Sequence, residues 1–289
     1  MMFEILDLKP RNPFLSLALD EAVSRFMGSA SNIGYTAGVR LWTNPQSIIL
    51  GRTCRPADNL TALPDRDALN VSQLKRNWSN SMIVLRRPSG GGTVLHGPGN
   101  LNYSIFLSLN KYPDMFPLRH SYEVLLGIVR RALQRQGIEC EIRGLSDLVI
   151  QTPAGERKIS GNAQFRKHGV LVFHGTLIIR NDLIQDIVKF LKHPPREPDY
   201  RRQREHLNFL GALPETFEIS TFYNCFVQEM QSIFEPTRVI PADLDDRRIM
   251  YKLARELVYS VYTNPDWILN ASIMAGSVAR SPGLAAQQR

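Results

Sequence analysis

The stretch Arg86-Arg87-Pro88-Ser89-Gly90-Gly91-Gly92-Thr93-Val94-Leu95-His96-Gly97-Pro98-Gly99-Asn100-Leu101-Asn102-Tyr103-Ser104 constrains this chain more than any other. Three consecutive glycines strip a length of backbone of every Cβ, so its N–H groups can approach a ligand that side chains would hold off. Two arginines stand immediately before them, and a forked guanidinium suits a phosphate or a carboxylate. The alternation of Val94 with His96, and then of Leu101 with Tyr103, predicts a hairpin-like pair of strands about the Gly97-Pro98-Gly99 turn. A Walker loop would close on Gly-Lys-Ser/Thr and a dinucleotide fingerprint would open a helix, whereas Gly90 to Gly92 lead into a β-branched, strand-like segment. A solvated turn is the plain alternative. The density of Arg86, Arg87, His96, Asn100 and Asn102 around the glycines argues against it.

A second unusual stretch is Gly155-Glu156-Arg157-Lys158-Ile159-Ser160-Gly161-Asn162-Ala163-Gln164, followed by a strand-like run from Val170 to Ile179 that carries His174-Gly175-Thr176. Lys158 follows a Pro153-Ala154-Gly155 turn and precedes small residues, a setting that places one ammonium at the edge of a sheet facing a cavity. An ordinary surface charge is the competing reading.

The periodicity predicts helices over 14–27, 119–136, 183–192, 219–233 and 243–262, with Asn12 capping the first and Pro13 at its first position. Strands are expected near 39–43, 47–50, 82–86, 93–95, 101–108, 139–143, 147–151, 157–159 and 170–180, an α+β order. With 289 residues the chain can bury a full core, which predicts one large domain with a smaller appendage. No apolar run approaches the roughly 18 residues a bilayer needs. The start carries Glu4 and Asp7 and no basic leader, so a cytoplasmic protein without a membrane partner is expected. Cys54, Cys140 and Cys225 are odd in number and far apart, which argues against a disulfide scaffold or a zinc site. The net charge of +8 predicts an acidic partner, with mere solubility as the alternative. Nucleic acid is disfavoured, because Arg201, Arg202 and Arg204 lie in a different segment from Arg86 and Arg87 and no nucleic-acid-binding signature accompanies them.

Together the two stretches resemble the lipoate-protein ligase A family, within the larger group that also holds biotin-protein ligases and octanoyltransferases. Arg-Arg-x-x-Gly-Gly-Gly-x-Val-x-His-x-x-Gly-Asn-Leu-Asn-Tyr-Ser is similar to the family's acyl- and adenylate-binding segment, and Lys158 to Ala163 is similar to its lysine motif. Asn12-Pro13 with Leu17 to Ala22 resembles the first helix. Arg40-Leu41-Trp42 and Ser47 to Arg52 resemble the first strands, Ser146 to Ile150 the strand before the lysine, and Pro198 to Arg201 with His206 to Leu210 a later loop and helix. The resemblance covers about residues 1 to 215.

The resemblance implies a mixed, largely antiparallel sheet flanked by helices, of the class II aminoacyl-tRNA-synthetase/biotin-protein-ligase-like type. It implies a catalytic domain over 1–215, while the change of pattern after Pro214 predicts a helical extension over 216–270 and the small, polar composition of 271–289 predicts a disordered tail. The implied activity is an ATP-dependent lipoate-protein ligase or lipoyltransferase that forms or uses lipoyl-AMP, with ATP, Mg²⁺ and lipoate or octanoate as cofactors and substrates. Implied partners are lipoyl domains of 2-oxoacid dehydrogenases or the glycine cleavage H protein. Two-domain members carry an accessory domain longer than what remains here, so an accessory ligase subunit is a further implied partner.

On this reading Lys158 is catalytic, its compact ammonium bridging the α-phosphate and the acyl carbonyl oxygen. Arg86, Arg87, Ser89, Gly90, Gly91, Gly92, His96, Asn100, Ser160, Gly161, Ala163, His174, Gly175 and Thr176 form the acyl and adenylate site. Strand alternation turns one of Arg86 and Arg87 away from it. His96 acts either as a base or as a structural hydrogen-bonding group, and Asp147 binds Mg²⁺, orients Lys158 by charge, or makes only a structural salt bridge. The competing activity is an octanoyltransferase working through a cysteine thioester. Its nearest thiol is Cys140, whose flanking glutamates disfavour a thiolate, with Cys54 beside Arg55 a minor candidate.

Overall fold

The computed structural model describes residues 1–9, 12–30, 34–63 and 82–272, so most of the expected tail lies outside the described residues. Strands β1 (Met2–Asp7) and β2 (Ala37–Trp42) belong to a large sheet, and β3 (Ser47–Leu50), β4 (Ile83–Arg86) and β5 (Val94–His96) form a small one. The chain then returns to the large sheet with β6 (Asn100–Ser108), β7 (Glu141–Arg143), β8 (Asp147–Thr152), β9 (Gly155–Lys167), β10 (Val170–Ile178) and β11 (Val239–Pro241). The large sheet runs β11-β1-β2-β6-β10-β9-β8-β7. It is parallel where β1 meets β11 and β2, and antiparallel from β2 onward. This is the mixed, largely antiparallel α+β architecture expected.

Helices α1 (Pro13–Met27), α2 (Pro56–Asn59), α3 (Leu118–Gln134), α4 (Asp182–Phe190), α5 (His206–Phe209), α6 (Ile219–Phe234), α7 (Leu244–Leu257) and α8 (Pro265–Asn270) complete the described elements. Asn12 caps α1 as expected, its Oδ1 accepting from the N–H groups of Phe14 at 2.9 Å and Leu15 at 3.3 Å. The helix expected to reach residue 262 leaves α-geometry at Val258 and ends in a π-turn over Val258–Tyr262. Neither β1, β11 nor α8 was foreseen. β1 pairs with strands far away in sequence, so no neighbouring hairpin signal marks it.

The expected hairpin about Gly97-Pro98-Gly99 does not form. β5 pairs with β3 in the small sheet, while both edges of β6 are already taken by β2 and β10. The turn, with Gly99 at a φ of 112°, passes the chain from one sheet to the other.

Alternation along β6 sends Leu101, Tyr103 and Ile105 into a core with Leu125 and Ile128 of α3 and Phe222 and Phe226 of α6. The opposite face packs Leu19 and Phe26 of α1, Leu257 of α7 and Trp267 of α8, together with Ile49 and Leu85 of the small sheet. Asn100, Asn102 and Ser104 point to this second face, and it is here that the apolar layer opens.

Candidate active site

A cavity of about 310 Å³ lies against this face, lined from both sheets. Part of its wall continues the apolar core through Leu17, Trp42, Ile49, Leu95, Leu183 and Ile187. The rest is polar and strongly cationic. Arg87, Arg143, Lys158, Lys192, Arg196 and Arg201 line it against one carboxylate, Asp147. Such a wall concentrates anions.

At Lys158 the strand β9 has run past β10, which pairs with it only over Ser160–Lys167; on that side Lys158 is met by a single bridge to Leu210, the Gly211 N–H donating to its carbonyl at 2.9 Å, while β8 holds the other side. Lys158 reaches the cavity because the register slips there: Ser160 faces Leu148 and Lys158 faces Val149, leaving Ile159 as the extra residue of a bulge that re-aims its neighbours. Its Nζ is 2.8 Å from Asp147 Oδ2. That oxygen also accepts from the Tyr200 hydroxyl at 2.6 Å, and Oδ1 accepts from Ser146 Oγ at 3.0 Å. Gly161 leaves the ammonium its room, for a Cβ there would sit 3.0 Å from Nζ. Ser160, Gly161, Ala163, Gly175 and Thr176 join Lys158 on the cavity wall.

The two arginines divide as alternation requires. Arg87 faces the cavity, but most of its guanidinium serves the glycine loop: Nε donates to Ser89 Oγ at 3.0 Å and Nη2 to the carbonyls of Gly90 and Gly92, each at 2.7 Å. Drawing loop carbonyls onto one cation leaves Gly91 and Gly92 on the cavity wall, with Gly91 at a φ of 82°. Burial lowers the Arg87 pKa to about 10, so it remains cationic at neutral pH.

Arg86 is a correction to the expected ligand-binding set. It is buried away from the cavity and donates to the carbonyls of Gly51, Arg52 and Cys54 and, across the chain, to those of Trp267, Ile268 and Leu269. Ser89 and Gly90 also lie off the cavity wall. They act through the loop: Ser89 Oγ, already accepting from Arg87, is within hydrogen-bond distance of His174 Nε2 at 2.6 Å. The other ring nitrogen, Nδ1, faces Asp20 Oδ2 at 3.4 Å. Burial pushes the Asp20 carboxyl up, but the bond from His174, the Arg40 charge and the bond from Ser104 outweigh it and hold the group below its ordinary value. A buried polar chain therefore ties α1 to the glycine loop.

Asn100 and His96 also line the cavity. Asn100 closes the turn by accepting from the Gly97 N–H at 2.9 Å. His96 stands edge-on to Trp42, with ring centroids 5.5 Å apart, and burial, helped by the Arg87 charge, lowers its pKa to about 3. An imidazole so reluctant to take a proton suits the structural role better than the base role. The folded pKa lies below the unfolded value of about 6.5, so the unfolded chain binds the extra proton first and stability falls as pH drops from about 6.5 toward 3. We expect His96→Asn to flatten the acid limb of stability, by at most about 1.4 kcal/mol per pH unit, in urea titrations between pH 7 and pH 4. Parallel acid limbs in both proteins would exclude the imidazole as their source.

No cysteine lines the cavity among the described residues. Cys140 is buried in the core on the other side of the sheet, and burial pushes its thiol up to about 12. Cys54 lies outside the cavity wall with its Sγ 3.3 Å from the Gly91 carbonyl. Tyr200, Arg201 and Phe209 escaped the sequence reading as site residues. Lys158, Arg201 and Arg204 all gather over the Phe209 ring, at 5.9, 4.6 and 5.2 Å from its centroid. The Pro198 to Leu210 segment was recognisable, but nothing local in it shows that it folds over the lysine.

The α+β scaffold that holds this cation-lined cavity, its bulge-presented lysine and its glycine loop matches a known catalytic domain. Residues 12–231 match the family model of the lipoyl protein ligase A/B catalytic domain, and the chain belongs to that family. It is 31% identical over 181 residues to lipoate-protein ligase LplJ of Bacillus subtilis (strain 168), a match that covers 63% of this chain and 46% of that protein. The chain thus spans about half the length of this curated relative. Among solved structures, a bi-partite lipoate protein ligase from Thermoplasma acidophilum, reported with its lipoyl domain, superposes with a TM-score of 0.69 at 23% identity, covering 93% of this chain and 97% of that one. A lipoate-protein ligase A bound with ATP gives 0.62 at 22% identity, covering 93% and 99%. These likenesses show a shared fold. No helix among the described residues is long and apolar enough to cross a membrane.

Proposed function

We propose that this chain is a lipoate-protein ligase or lipoyltransferase, which forms or uses lipoyl-AMP and passes the acyl group to a lysine of a lipoyl domain. The observation that carries the reading is the position of Lys158, between an apolar recess that suits an acyl chain and a wall of arginines and lysines that suits phosphate. In the first step a carboxylate oxygen of the acid attacks the α-phosphorus of ATP, and the bond to pyrophosphate breaks. In the second an acceptor lysine amine attacks the acyl carbonyl, AMP departs with the ester oxygen, and the amine loses a proton. The Lys158 ammonium faces the oxygens on which charge develops in both steps, where a fixed cation lowers the barrier most. The Gly91-Gly92 backbone, held by Arg87, allows the adenylate to lie close.

Asp147 is the carboxylate that would hold Mg²⁺. One carboxylate with substrate phosphates is a usual set for this ion, and a carboxylate has lone pairs beyond those taken by Lys158, Tyr200 and Ser146. The bound ion would neutralise phosphate charge. Candidate acceptors are the lipoyl domains of 2-oxoacid dehydrogenases or the glycine cleavage H protein, whose approach the basic surface would favour if they are acidic. The division into a catalytic unit over 1–215 and a helical extension over 216–270, aided by an accessory ligase subunit, is part of the same reading, as is a cytoplasmic setting where ATP is at hand.

Mixing the protein with ATP and lipoate, and separately with octanoyl carrier protein, and following a lipoyl domain by intact mass tests this. ATP-dependent lipoylation is expected, and it should survive replacement of Cys54, Cys140 and Cys225 together by Ser, because the adenylate carries the activated acyl group. ATP-independent octanoyl transfer that ends with one cysteine replacement would assign the thioester route instead. Transfer from presynthesised lipoyl-AMP alone would show that adenylation needs the second subunit.

A further inference from the structure

Two donors meet on one buried oxygen. Asp147 Oδ2 is 2.8 Å from the Lys158 ammonium and accepts from the Tyr200 hydroxyl at 2.6 Å, while the Asp147 side chain is only 6% exposed. Tyr200 is delivered by a single turn, Asp199–Arg201, followed by Arg202 and Gln203 in the left-handed region. Its ring packs on Phe209 with centroids 5.5 Å apart, and Arg204 Nη2 donates to its carbonyl at 3.0 Å. This much anchoring on a short turn is spent on placing one hydroxyl.

An ammonium that pairs with Asp147 in the free protein must turn toward an anionic ligand to act on it. With no metal on Asp147, leaving its Oδ2 without a partner would set a buried carboxylate against ligand binding, since water scarcely reaches it. We propose that Tyr200 is a positioning residue: its hydroxyl keeps Asp147 satisfied when Lys158 turns to the phosphate and acyl oxygens of an acyl-adenylate. The inference rests on the acyl-adenylate reading of the site and adds a residue that touches neither substrate.

The test is a double-mutant cycle read by calorimetric binding of a hydrolysis-resistant lipoyl-AMP analogue with a sulfamate in place of the phosphate. Tyr200→Phe retains the ring on Phe209 and removes only the hydroxyl. It is expected to weaken binding about tenfold in the natural background and less than about twofold in Asp147→Asn, where no carboxylate needs a partner. Equal weakening in both backgrounds would make Tyr200 merely structural, and unchanged binding by Tyr200→Phe would remove it from the site; either overturns the proposal. A natural protein that fails to bind the analogue at all would overturn the acyl-adenylate reading itself, a result distinct from both.

Discussion

Lys158→Ala and Lys158→Arg are each expected to lower acyl transfer by about a thousandfold, the loss associated with removing one preorganised donor from a developing oxyanion, while leaving the unfolding midpoint nearly unchanged. The stability half of this expectation follows from the surroundings. The ammonium projects into the cavity and is partly solvated, so its removal opens no hole in either core. The arginine variant is the more telling of the two. It retains the positive charge, but the space beside Gly161 fits a narrow ammonium, and a planar fork would have to displace the strand or abandon Asp147. Single-turnover rates with preformed lipoyl-AMP would separate this loss from any defect in adenylation. Turnover within about tenfold of the natural protein by either variant would place the charge stabilisation elsewhere on the wall.

Arg86→Met is expected to cost about 3 to 5 kcal/mol of stability, the scale seen when one member of a buried polar cluster is removed and its partners stay behind. The Arg86 guanidinium joins two segments that nothing local connects: the Gly51 to Cys54 turn and the C-terminal end of α8. Trp267 returns a bond from its Nε1 to the Arg86 carbonyl at 3.1 Å, and Arg52 lies over its ring at 4.9 Å. Loss of the clasp would leave up to six carbonyls short of a donor and free α8 from the small sheet. The turn it holds abuts the glycine loop, since a Cβ on Gly51 would sit 2.0 Å from the Gly91 carbonyl. Denaturant titration followed by the summed fluorescence of Trp42, Trp78 and Trp267 reads the loss of stability, and a change below about 1 kcal/mol would show that the clasp is dispensable. Arg86→Lys should recover little, because one ammonium cannot serve two carbonyl sets on opposite sides of a fork.

Much of the candidate site was legible before any tertiary structure. Three glycines in succession, a lysine followed by small residues, and a Pro-led helix behind an asparagine cap are local signals. Each depends on backbone freedom, side-chain size or capping within a few residues, and each stands where it was read. Alternation even required that Arg86 and Arg87 part company. It could not say which one keeps the cavity, because that depends on where the Trp267 to Leu269 carbonyls come to lie, more than 180 residues away.

The same limit explains the misplaced hairpin and the route by which the lysine reaches the cavity. Val94 to His96 and Leu101 to Tyr103 alternate like hairpin strands, and adjacency made them look like partners. Only the sheet order shows that β2 and β10 have already taken both edges of β6. Lys158 faces the cavity beyond the end of β10, as its setting suggested, but the one-residue bulge against β8 that turns it there leaves no mark in the local sequence. Tyr200 reaches Asp147 by the fold of a loop whose sequence carries no period. The sequence by itself therefore determined which residues could do this chemistry, because that depends on the intrinsic properties of side chains and glycines. Which of them meet was decided by long-range pairing, since strand order, bulge position and buried hydrogen-bond partners are settled between segments and leave no trace within any one of them.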